Sequence, residues 1–288
     1  MSALLLALLT ACGHAKAGTA LPKGDDAAAY VTAKFDGAMK ALTAKLGNER
    51  NISASVDSYF RIDDKWDHTQ LTASRLGEPE ARIVQQHSLR DPDETRDDFS
   101  PASGSVDYIH LGKHYSSLAP TPWVSMPKKP GGNGPICAWL GTIEVCNMVD
   151  AVLASVEANK AAVISAGSLP SGETELVVNV TLDAILKEHV EILPDALRSK
   201  ITEAIRHQII ITKVTIEADS TVKQISMNGT LDKDSHHIEM SQEFHFTGEA
   251  KAQDFPSAPD ASQVTVLPDQ AAVADFNRRT DELQNHVS

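Results

Sequence analysis

Cysteine is the residue with the most chemistry to offer in this chain, and there are three of them. Cys12 closes an apolar run, Ala3 to Leu9, in the sequence Leu9-Thr10-Ala11-Cys12-Gly13. The run is well short of the roughly 20 apolar residues needed to cross a bilayer, and His14, Lys16 and Gly18 end it. A short apolar segment that closes on small residues reads as an export signal rather than a spanning helix. Export carries the rest of the chain into an oxidising compartment. There Cys137 and Cys146, nine positions apart, read as a disulfide, with a pair of free thiols as the alternative. Closing so short a loop stabilises by roughly 2–3 kcal/mol. No His or further Cys stands near them at ligand spacing, so no metal site is expected there.

The other candidate chemistries dissolve on inspection. His110 and His114 are four apart, but Gly112-Lys113 between them argues for a turn rather than a helix face. His236 and His237 open a strand, where neighbours point to opposite faces. All four read as solvated surface histidines. Gly131-Gly132-Asn133-Gly134 lacks the Lys-Ser/Thr of a phosphate-binding loop. Ser220-Thr221-Val222-Lys223 has the spacing of a serine–lysine acyl-enzyme motif but none of its partner motifs. There is no Gly-x-Ser-x-Gly elbow and no His-Glu-x-x-His. No enzyme, no cofactor and no metal is expected. The formal net charge of −13 excludes a nucleic-acid surface, which needs basic groups to displace phosphate counterions. It equally opposes electrostatic docking on anionic lipid headgroups. Aromatics, at 5%, are too sparse for a carbohydrate-stacking surface.

The elements that would position anything are easier to read. Asp25-Asp26 start a helical pattern that ends at Gly47, with Tyr30, Val31, Phe35, Met39, Leu42 and Leu46 on one stripe. From Asn51 the period changes to two, with Ile52, Ala54, Val56, Phe60 and Ile62 on one face. Further strands are expected at 69–76, 81–89, 105–111 and from Tyr115 to Met126, with 90–104 a polar loop. A short helix follows through Val149, Val152, Leu153 and Val156. Leu176 to Leu182 alternate again, then come helical pieces near 182–190 and, opening on Pro194, 194–207. Three strands close the pattern, with Ile210 to Ile216, Ile225 to Leu231 and Ile238 to Phe246 on their apolar faces. Short spacers make them an antiparallel meander. The expected class is α+β, a large curved antiparallel sheet with helices gathered on one face.

Two resemblances give that pattern a function to test. Leu9-Thr10-Ala11-Cys12-Gly13 resembles the lipobox of bacterial lipoproteins. It implies that residues 1–11 are a signal peptide cut before Cys12, whose acyl chains then anchor the protein to the extracytoplasmic face of the cell membrane. A leader that merely contains a Cys is the alternative. Residues 12–24 would be a flexible tether. The opening helix running into Ile52–Ile62, the stretch Val106-Asp107-Tyr108-Ile109-His110-Leu111-Gly112-Lys113 running into Trp123-Val124, and the closing run Ile209 to Phe246 together resemble the LolA-like lipoprotein carriers, in the style of the actinobacterial LppX–LprG family. The resemblance covers 25–266 and implies a single half-barrel domain, with 267–288 a polar tail or helix. It also implies a lipid or glycolipid ligand held by its acyl chains in an apolar cavity, without covalent chemistry. Phe60, Val178, Val214, Ile216, Ile225, Met227, Met240, Phe244 and Phe246 would line that cavity, or an ordinary filled core. The alternative function is a surface lipoprotein whose half-barrel holds an envelope protein as chaperone, regulator or sensor.

Overall fold

The computed structural model describes residues 25–48, 51–128, 137, 141–193, 195–218 and 222–286. Cys12, the expected signal and tether, Gly131 to Gly134, and Ser220 and Thr221 lie outside the described residues. Two antiparallel meanders make one sheet. The first is β1 (Ile52–Ile62), β2 (Lys65–Leu76), β3 (Ala81–Ser88), β4 (Thr95–Ser100), β5 (Val106–Leu111) and β6 (Trp123–Pro127). The second is β7 (Val163–Ser168), β8 (Thr174–Thr181), β9 (Ile209–Ile216), β10 (Val222–Lys233) and β11 (His236–Gly248). β1 and β11 pair antiparallel and join the two halves, and β12 (Val264–Val266) adds in parallel beyond β6. The order is β12-β6-β5-β4-β3-β2-β1-β11-β10-β9-β8-β7, in an open, curved sheet of α+β class, as expected.

Local chemistry sets the turns. Asp234 and Ser235 both have positive φ, 52° and 65°, and link β10 to β11 as a two-residue hairpin whose backbone twist matches that of its strands. Asp63, at φ 57°, turns β1 into β2; Asp tolerates this region better than most residues. The helices are α1 (Asp25–Asn48), α2 (Ile143–Ala158), α3 (Leu182–Lys187), α4 (Asp195–Arg198), α5 (Glu203–Arg206) and α6 (Gln270–His286). Thr181 caps α3 by accepting from the Ala184 amide at 3.2 Å, and Thr202 caps α5 from the Ile205 amide at 3.3 Å.

Strand register tells which side the helices cover. Ala54 opposes Ala73, Ala73 opposes Val84, Val84 opposes Asp98, Asp98 opposes Ile109 and Ile109 opposes Val124. The main core, under α1, α2, α3 and α5, and a smaller cluster of Ile109, Leu111, Tyr115, Leu118, Val124, Leu267 and Phe276 therefore share the concave face. Between them the same face carries charge. Glu80 bridges Arg75 at 2.5 Å and Arg82 at 3.0 Å, and Arg96 holds Asp98 with two hydrogen bonds of 3.0 Å. Cys146, in the first turns of α2, is joined to Cys137 with Cα atoms 5.7 Å apart. Just ahead of α2, Gly141 has φ 97°, and a Cβ there would run into the Ala73 side chain, so the helix start presses directly on β2.

Several expectations are corrected. The polar segment 90–104 contains β4, because the inward Arg96 and Asp98 satisfy each other where apolar residues would have signalled a strand. Tyr115 to Met126 is not one strand: residues 113–115 form a single helical turn that buries Tyr115, and strand resumes at Trp123. The helical stretch after β8 breaks into short pieces where His189 takes φ 57° and Thr202 starts a new turn. Of the polar tail or helix expected over 267–288, the structure has the helix, α6, which buries Phe276, and β12 lies just ahead of it.

Phe244 is fully buried, whereas Trp66 is 40% exposed on the convex face. Phe244→Ala is expected to cost about 3–5 kcal/mol and Trp66→Ala under about 1 kcal/mol in urea unfolding. Replacing both Cys137 and Cys146 by Ser is expected to cost about 2–3 kcal/mol in the same assay. Near-equal costs for the two aromatics would contradict this placement of the core.

Candidate functional site

The site is the apolar bed on the concave face. Phe60, Val178, Val214, Ile216, Ile225, Met227, Met240 and Phe244 are all buried in one contiguous cluster. Phe246 is half-buried against it, edge-on to Phe244 with ring centroids 4.8 Å apart. All nine expected lining residues are thus brought together. The bed is continuous because register carries it from strand to strand: Phe60 opposes Met240, Val56 opposes Phe244, Ile225 opposes both Phe244 and Val214, and Leu176 opposes Val214. Val145, Val149 and Val152 of α2, Phe35 and Met39 of α1, and Ile185 of α3 press onto it from above. Where α1 meets α2, a groove of about 500 Å³ opens to solvent, lined by Asp36, Met39, Lys40, Thr43, Ala44 and Leu153. Leu153 is 38% exposed there.

Polar groups interrupt the bed at two places. Thr212 is fully buried between Val178 and Met227, and its hydroxyl has no partner. Such a group is uncommon in a folded interior. At the joint of the two meanders Ser58 opposes Gln242, and Gln242 Nε2 donates to Ser58 Oγ at 2.5 Å and to Glu191 Oε2 at 2.6 Å. Glu191 comes from the loop after α3. Burial of its carboxyl, with Asp67 nearby, pushes its pKa up to about 7, against hydrogen bonds from Gln242 and Ser58 that lower it. This trio escaped the sequence reading, although Ser58 and Gln242 are the two breaks in otherwise apolar alternation on β1 and β11.

The remaining candidates sit elsewhere. The histidines read as solvated each have a carboxylate neighbour: His110 lies 3.6 Å from Asp97, His114 3.0 Å from Asp91, His236 3.0 Å from Asp63, and His237 between Asp232 and Glu239. Among the described residues no group of three His, Cys, Asp or Glu side chains could hold a metal ion. Lys223 pairs with Glu173 at 2.5 Å. Among the described residues no helix is long and apolar enough to cross a membrane.

One end of the bed is pinned by Asp63 at the β1–β2 turn. It accepts from His236 at 3.0 Å, from the His237 amide at 3.1 Å and from Lys200 Nζ at 3.1 Å. The His236 hydrogen bond, then the His237 amide and Lys200, hold its carboxyl well below the usual carboxylate range. The neighbouring hairpin tip is tied down as well, by Thr202 Oγ1 donating to Asp234.

No known protein family and no curated protein matches this chain. Among solved structures, the Mycobacterium tuberculosis lipoprotein LppX is similar at 12% identity and TM-score 0.28, covering 82% of this chain and all of that one. A DUF1329 family protein from Desulfovibrio piger shares 6% identity at TM-score 0.24, over 81% of this chain and 98% of its own. An outer membrane lipoprotein-sorting protein domain from Vibrio parahaemolyticus shares 6% identity at TM-score 0.23, over 86% of this chain and 98% of its own.

Because the carboxyl of Asp63 is depressed in the folded state, its contribution is present above its ordinary value of 3.8 and is lost on acidification below it. Asp63→Asn is expected to lower stability at pH 7 and to flatten the fall in stability between pH about 5 and 2, measured by denaturant titration at each pH. An unchanged acid limb would contradict the role given to this turn.

Proposed function

We propose that this protein is a membrane-anchored lipoprotein of the cell envelope that binds the acyl chains of a lipid or glycolipid on its concave apolar bed and performs no covalent chemistry. Cys12, freed by removal of residues 1–11, would carry the anchoring acyl chains; residues 12–24 would tether a domain spanning 25–266. The observation that carries the reading is the bed itself. It runs across β8, β9, β10, β11 and β1, interrupted only by Thr212 and by Ser58 with Gln242, and helices, chiefly α1 and α2, rather than a second sheet cover much of it.

Burying each methylene of an acyl chain contributes roughly 0.8 kcal/mol. A long chain seated on this surface would therefore be held tightly with no charged contact. The methionines Met227 and Met240 can repack around chains of different length. The orphan Thr212 hydroxyl gives the bed one donor that a ligand carbonyl could take up. Charge favours the same mode, since a net −13 protein gains nothing electrostatically from anionic lipid headgroups. As it stands, the bed is filled by its own side chains, so a lipid enters by displacing part of the cover rather than by occupying a ready hollow. The groove between α1 and α2, with the exposed Leu153 on its wall, is the opening on that side.

Native mass spectrometry of the protein purified from its own membranes tests the reading. Expected are acylated Cys12 as the first residue and a bound lipid whose retention falls at least about tenfold in Met227→Trp, which overfills the bed. A leader-bearing, lipid-free species would contradict it. Copurification of a stoichiometric envelope protein with no lipid would favour the partner-holding alternative.

A further inference from the structure

The loop 188–193, between α3 and α4, lies directly over the joint of the two meanders. Leu193 is buried in the main core and Val190 packs against it. Between them the Glu191 carboxyl reaches Gln242 on β11 and, through it, Ser58 on β1. Ile192 is turned outward and is 72% exposed, more than any other large apolar side chain among the described residues. Backbone and side-chain hydrogen bonds tie the loop to its neighbours, the Glu188 and His189 amides donating to the Ala184 and Leu186 carbonyls at 2.9 and 3.4 Å. Asn147 of α2 donates to the His189 carbonyl at 3.0 Å, Arg198 of α4 donates to the Leu193 carbonyl at 3.0 Å, and the Val190 amide donates to the Ile185 carbonyl at 3.0 Å.

We propose that residues 188–193 are a proton-controlled cover over the apolar bed: a protonated Glu191 keeps the loop seated on Gln242 and Ser58, and loss of that proton releases it and exposes the bed to lipid. This deepens the function proposed above and rests on it for the identity of what enters. The electrostatic surroundings are one-sided. β2 contributes the carboxylate of Asp67, β1 and β11 contribute the neutral Ser58 and Gln242, and none of the groups that act on Glu191 is a cation. On the loop itself, Glu188 acts on Asp150 of α2. A carboxylate formed here, on a half-buried residue held against Gln242, therefore gives up part of its hydration with no counter-charge among these groups, which is costly unless the loop lifts it into water.

The sign follows from the raised pKa. With an ordinary value of 4.5 when lifted and about 7 when seated, the cover is fully held below about pH 4.5. It loosens as pH rises toward 7 and changes little above that. Each unit of the interval is worth about tenfold in the opening equilibrium.

Hydrogen exchange tests this on the full chain, comparing wild type with Glu191→Gln, which keeps the shape and an acceptor for Gln242 but cannot ionise. Taking the ratio of the two at each pH cancels the intrinsic pH dependence of exchange. For the amides of 188–193 the ratio is expected to be near one at pH about 4.5 and to rise at least about tenfold by pH 7, then level off. Asp67→Asn, an exposed substitution, is expected to bring that plateau to lower pH. A ratio that stays flat from pH about 4.5 to 8, or a plateau unmoved by Asp67→Asn, overturns the proposal. Release of a dansyl-labelled fatty acid separates the two claims. Release that speeds up over the same interval in wild type but not in Glu191→Gln supports the cover. A probe that binds but leaves at a pH-independent rate overturns the cover and leaves the carrier reading standing. Exchange that follows pH while no probe binds supports the cover and removes the carrier reading.

Discussion

The pairing of β1 with β11 is the constraint on which the rest of this structure depends. Each meander alone is a chain of local hairpins whose apolar face is half of a bed. Ten residue pairs from Ser53–Gly248 to Ile62–Ile238 join them, with a shift only at Ser53/Ala54. Side chains alternate with a period of two, so a slip of one residue would put Val56, Phe60 and Ile62 on the convex face opposite a concave-facing Met240 and Phe244. The register that avoids this also brings Ser58 to Gln242, so the most apolar surface of the molecule has a polar mark at its centre. Asp63 and His236 lock the open end of the same seam, where the β1–β2 turn and the β10–β11 tip meet.

The concave face is divided by charge. The Arg75–Glu80–Arg82 bridge and the Arg96–Asp98 pair separate the main bed from the smaller cluster under α6. Cross-strand arginines would repel each other at Arg75 and Arg82, and Glu80 between them removes that conflict. Such a boundary gives the apolar bed a definite edge. Past that edge, α6 is fastened by Phe276, and β12 ties its approach to β6, so the C-terminus closes the far end of the sheet on its own small core.

Most of the scaffold was legible because one-sided burial writes itself into alternation. Ile52 to Ile62, Leu176 to Leu182 and the run from Ile210 to Phe246 announce their strands and their inward faces, and the clustering of the nine inward residues follows from them. The signal failed wherever another interaction replaced apolar contact. β4 carries Arg96 and Asp98 inward, satisfied by each other, and so reads as a polar loop. β7 is an edge strand with Ile164 half in water and Gly167 within it, and it shows no stripe at all. The helical region after β8 reads as two helices because its apolar residues keep helical spacing on either side of Pro194. Backbone conformation at His189 and capping by Thr202 divide it further. Glu191 was illegible for a different reason: nothing local marks an acidic loop residue as seated on the sheet, and its partners lie 51 and 133 positions away, Ser58 through Gln242.

Under the proposed function the bed, filled by its own side chains beneath α1 and α2, would exchange that self-packing for an acyl chain. That exchange is the central claim, and cross-linking with a photoactivatable fatty acid on intact envelopes reads it most directly. Adducts concentrated on the inward residues of β9, β10 and β11, around Met227, Met240 and Phe244, are the expected result. Adducts confined to the convex face, or none above background on this chain, would contradict it.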